Sequence, residues 1–134
     1  MKSLVAAGCA MTLLLSGCMG GVSPGDNSPR ETHTVPRDYK AVYLRLENQA
    51  HECISPDRGV HVKSQLDPDT QSGSVMVVLP VSGAVLARSD FKAMDAQHTQ
   101  VTYSVVGRYP WDLNALHAMR ESVLLDSSIC FAYK

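Results

Sequence analysis

Residues 37–134 predict a small α+β domain, with two helices on one face of a four-stranded antiparallel sheet. Three observations predict it. An apolar stripe of helical period runs from Tyr39 to Cys53, four β-type runs follow between residues 60 and 106, and a second helical pattern starts at Leu113. The order is α-β-β-β-β-α.

At 100° per residue, Tyr39, Val42, Tyr43, Leu46, Ala50, Cys53 and Ile54 fall within about 120° of one another. Lys40, Arg45, Glu47, Asn48, Gln49, His51 and Glu52 fill the remainder, and only Leu44 is out of place. Val42 to Leu46 also alternates like a strand, but the alternation fails on both sides while the helical pattern holds for four turns. Asp38 is the expected N-cap, and Ser55-Pro56-Asp57-Arg58-Gly59 the stop and turn.

Val60 to Leu66 sets Val60, Val62 and Leu66 against His61, Lys63 and Gln65, the pattern of a half-buried strand. A turn at 67–73 precedes Val75-Met76-Val77-Val78-Leu79, which is apolar throughout and broken by Pro80 and Ser82-Gly83. Val85 to Ala93 alternates, and so does Val101 to Val106. Connections this short favour antiparallel neighbours, so the four strands predict a meander. Leu113, Leu116, Met119 and Val123 then recur at spacings of three and four, predicting a helix to about Leu124.

The N-terminus carries a different signal. Lys2 gives a short positive start, Leu4 to Leu15 is almost wholly apolar, and small Ser16 and Gly17 precede Cys18. This is signal-peptide architecture, and the apolar run falls short of the roughly 20 residues that a spanning helix needs. Leu15-Ser16-Gly17-Cys18 resembles the lipobox of Gram-negative lipoprotein precursors. The resemblance implies cleavage between Gly17 and Cys18, a diacylglyceryl group on the Cys18 thiol and an acyl chain on its new amine. Three acyl chains hold a protein on a bilayer where one holds it only marginally. Met19 stands where such lipoproteins often carry the Asp of inner-membrane retention, so the resemblance implies the periplasmic face of the outer membrane. The expected organisation is a signal peptide over 1–17, a lipidated flexible linker over 18–36 and a periplasmic α+β domain over 37–134. The linker reading rests on the Gly, Ser, Pro, Asp and Thr content of Met19 to Val35, which has little to bury against the entropy of ordering it.

With Cys9 in the leader and Cys18 acylated, Cys53 and Cys130 are the remaining thiols. In an oxidising compartment they read as one disulfide, against the alternatives of two free thiols or a metal pair. Closing so long a loop is worth about 4 kcal/mol in chain entropy.

The candidate chemistry is thin. A net charge of −1 provides no basic field for nucleic acid. Gly21-Val22-Ser23-Pro24-Gly25 matches G-x-S-x-G literally, but Pro24 lacks the N–H that an oxyanion hole takes from that position. His33, His51, His61, His98 and His117 show no ligand spacing, and the loop after Asp67 and Asp69 lacks the later ligands of a calcium site. No metal and no cofactor beyond the acyl groups is expected.

One feature bears on function. The face of the sheet away from the helices should be wet, and His61, Lys63, Gln65, Arg88, Asp90, Lys92, Thr102 and Ser104 suit it. The all-apolar run does not, so Met76, Val77 and Val78 form a candidate docking strip for a periplasmic protein or a second copy. The alternative is that polar neighbours or the tail residues Phe131 and Tyr133 cover it. The expected role is a non-catalytic interaction or structural module, tethered to the membrane by lipid. The chain is also similar to small two-cysteine lipoproteins of Gram-negative bacteria. An alternative is an inhibitor lipoprotein like the periplasmic lysozyme inhibitors, whose loop Ser72-Gly73-Ser74 resembles without its tyrosine and lysine context. A hydrolase of envelope polymers ranks last.

Overall fold

The computed structural model describes residues 21–22, 27–53 and 59–131. The leader over 1–17, the lipobox with Gly17 and Cys18, the expected stop at 54–58 and Tyr133 lie outside the described residues.

Five strands form one antiparallel sheet: β1 (Arg30–Val35), β2 (His61–Asp67), β3 (Ser72–Val78), β4 (Val85–Ala93) and β5 (Thr99–Val105). Their order is β1-β5-β4-β3-β2, so the expected four-strand meander is present with β1 added along its β5 edge. The expected linker 18–36 is corrected accordingly. Its last third is a sheet strand, paired with β5 from Arg30↔Ser104 to Val35↔Thr99. Val35, fully buried, is the one apolar side chain that β1 sends into the core.

The helices α1 (Tyr39–Cys53) and α2 (Leu113–Leu125) cover the same face of the sheet. Asp38 caps α1, its Oδ1 accepting from the amides of Lys40 at 3.0 Å and Ala41 at 3.1 Å. Asp112 caps α2 in the same way, accepting from Asn114 and Ala115. Each cap satisfies amide donors that have no partner within the helix. The core comes from the apolar stripe of α1 (Val42, Leu46, Ala50), from Leu116, Met119 and Val123 of α2, and from inward sheet residues such as Val75, Val77, Phe91, Val101 and Tyr103. Leu44, the residue out of pattern, is exposed.

Gly73 shows how closely the sheet is packed. A Cβ there would run into the carbonyl oxygen of Gln65 and the ring of Phe91, so only glycine fits between β2 and the core. Ser72-Gly73-Ser74 is thus strand, not loop.

Buried polar groups fasten the chain beyond α2. Gln49 donates from Nε2 to the carbonyl of Ile129 at 3.1 Å, and Ser122 Oγ accepts from the Ile129 amide at 2.9 Å. Cys53 and Cys130 form a disulfide, with S–S 2.08 Å and Cα–Cα 4.8 Å, joining the end of α1 to that same segment. Among the described residues, no helix is long and apolar enough to cross a membrane.

Candidate functional site

Pairing fixes which loops meet. His61↔Val78, Val78↔Val85, Ala87↔Val105 and Arg30↔Ser104 bring the starts of β1, β2 and β4 and the ends of β3 and β5 to one end of the sheet. The loops over 79–84 and 106–112 therefore share that end, as does the Cys53 terminus of α1. The disulfide brings Phe131 there as well. Tyr109 is 87% exposed and Phe131 72%, with Leu79, Val81 and Leu113 also outside. Between the helices at this end lies a cavity of about 100 Å³ lined by Gln49, Cys53, Trp111, Met119, Cys130 and Phe131. It is well below the roughly 300–1,000 Å³ of a ligand pocket and suits at most one inserted side chain.

A second cluster joins β1 to α2. The Glu31 carboxylate accepts from Arg120 Nη1 at 2.9 Å, His117 Nε2 at 3.2 Å and His33 Nε2 at 3.3 Å. Burial works to raise the Glu31 pKa, but the hydrogen bond from His33 and the charge and hydrogen bond of Arg120 outweigh it and hold the carboxyl below its usual range. Its cross-strand partner Tyr103 is wholly buried, and burial drives the phenol pKa well up. Among the described residues the Tyr103 hydroxyl has no hydrogen-bond partner. Through Arg120 and His117 the Glu31 carboxylate clamps strand β1 to helix α2. Among the described residues, no group of three His, Cys, Asp or Glu is placed to hold a metal.

Two of the three residues of the candidate docking strip, Val77 and Val78, are buried. Val77 faces the helices and is 2% exposed, Val78 is equally buried beside a register irregularity, and Met76 points outward beneath Arg88, whose Nη1 lies 3.5 Å from its Sδ. The Met76 row reads Lys63–Met76–Arg88–Ser104–Arg30 and the next Gln65–Ser74–Asp90–Thr102–Thr32, so the outer face is polar, as the alternation predicts. Arg88 is further pinned to Asp90 through two 2.7 Å contacts.

Sequence alone assigns no ligand spacing to His33 and His117 and no role to Glu31. The signal available was the i, i+2 spacing of Glu31 and His33, which puts them on one face of any strand. The composition of the segment hid it. No protein-family model, no curated protein and no solved structure matches the chain.

Proposed function

We propose that this chain is a lipid-anchored envelope protein, acylated at Cys18 and working as a non-catalytic interaction or structural module on the periplasmic side of the outer membrane. The observation that carries the reading is the pairing of Cys53 with Cys130 in a chain that opens on Leu15-Ser16-Gly17-Cys18. A structural disulfide belongs to an oxidising compartment, and the lipobox supplies the route into one. Tyr109, Leu113, Val81 and Phe131, all exposed at one end of the sheet, support a role in contact with another surface, of lipid or of protein. The expected protein partner is a periplasmic protein or a second copy of the chain.

The test is the mass of the N-terminal peptide of protein purified from membranes. A peptide beginning at Cys18 and carrying a diacylglyceryl and an N-acyl group supports the reading, and Cys18→Ser abolishes both processing and membrane retention. An unacylated Cys18, or a leader still attached, overturns it. Crosslinking in intact cells followed by mass spectrometry then identifies the partner.

A further inference from the structure

We propose that the end of the sheet built from the 79–84 and 106–112 loops seats on the bilayer surface beside the acyl chains, holding the domain in one orientation. The inference rests on acylation at Cys18 and adds to it the surface that meets the lipid. Chain length brings that surface to the membrane. The Val22 amide donates to the Val85 carbonyl at 2.8 Å, and a Cβ on Gly21 would lie 2.9 Å from the Val85 nitrogen, so the chain is held against the start of β4. Cys18 precedes Gly21 by three residues, which span at most about 11 Å. Acyl chains on Cys18 therefore put the headgroups within reach of the hairpin loop that enters β4.

That loop has the composition of a membrane contact. Leu79-Pro80-Val81-Ser82-Gly83-Ala84 carries no charge, and Val81 stands fully exposed at its tip. Exposed at the same end of the sheet are Tyr109, Leu113 and Phe131, aromatic and aliphatic groups of the kind that lodge at the headgroup level. Arg108, also exposed at this end, suits anionic headgroups. The opposite end carries Asp38, Asp67, Asp69 and Asp95 beside Lys40 and Lys92, and Asp126 there is paired with Arg37 and Arg45. Met94, Leu124 and Leu125 are exposed there too, but the chain-length constraint at Gly21 places the lipid at the other end. Docking through the apolar end leaves the polar outer face and the opposite end for a protein partner.

Isotope-labelled, acylated full-length product in nanodiscs of phosphatidylethanolamine and phosphatidylglycerol, doped with a paramagnetic lipid, gives the test. Amide relaxation enhancement at Leu79, Val81, Gly83, Gly107 and Tyr109 should exceed that at Asp69, Gln71, Asp95 and Gln97 at least threefold. Val81→Asp alters a fully exposed side chain and should cut the enhancement at Leu79 and Tyr109 at least twofold, with the rest of the amide spectrum unchanged. Uniform enhancement, a reversed gradient or no response to Val81→Asp overturns the docking while the acyl mass stands. A peptide mass without acyl chains overturns the anchor and the docking together.

Discussion

Arg120 on α2 donates to Glu31 on the edge strand β1 at 2.9 Å, across 89 residues of sequence. His117 and His33 complete the same carboxylate, so β1 is held to the helical layer as well as to β5. Glu31→Gln should cost about 1 kcal/mol at neutral pH, the scale of a partly exposed charge-assisted pair. Because the folded pKa lies below the usual glutamate value, this stabilisation is complete above that value and is lost as pH falls through the folded one. Urea midpoints of wild type and variant should therefore differ at pH 7 and converge as the pH falls through the folded value.

The hydroxyl of Tyr103 is buried without a partner among the described residues, and an orphaned polar group costs about 1–3 kcal/mol. Tyr103→Phe keeps the ring and its tilted contact with His33 at 6.4 Å. The variant should be as stable as wild type or more so, by up to about 1 kcal/mol, in a thermal or denaturant melt. A loss of stability would show that the hydroxyl takes a hydrogen bond in solution.

Joining Cys53 to Cys130 closes a loop spanning 77 residues. Its removal by a Cys53→Ser, Cys130→Ser double change should lower stability by about 4 kcal/mol, mainly by freeing the unfolded chain. Reduction of the wild type should give the same shift in denaturant midpoint and leave the double variant unaffected.

Val77 and Met76 are neighbours on β3 with opposite fates. Val77→Lys would place a charge among Leu46, Ala50 and Ala87 and should abolish cooperative folding. Met76→Gln, on the outer face beneath Arg88, should move stability by less than about 1 kcal/mol. Circular dichroism melts separate the two outcomes.

Both helices, the cap at Asp38, the four-strand meander and the cysteine pairing could be read from the sequence. In each case an apolar period or a cysteine count maps directly onto geometry. β1 was not legible because its inward positions are Glu31, His33 and Val35. Two of the three meet α2 or β5 through polar and ring contacts, so hydrophobic alternation fails although the strand is real. The same cause hid the Glu31 cluster, whose members on α2, His117 and Arg120, lie more than 80 residues away. Ser72 and Gly73 fall in the turn expected at 67–73 yet belong to β3, because the tight fit at Gly73 excludes a side chain, a constraint that composition cannot distinguish from flexibility. The apolar strip misled for a further reason. A central strand can be apolar on both sides when a long guanidinium lies over its outer residue, as Arg88 does over Met76.

The place of β1 governs how the protein can be handled. A recombinant fragment cut at Asp38 would keep both helices and every strand of the meander, yet strip the bonded neighbour from β5. The amides and carbonyls that Thr99–Val105 turn towards β1 would then lie bare, while those facing β4 stay paired. Such a border invites another molecule to complete the ladder, so that fragment should precipitate or pair with itself, and expression trials are better begun upstream of Ser28.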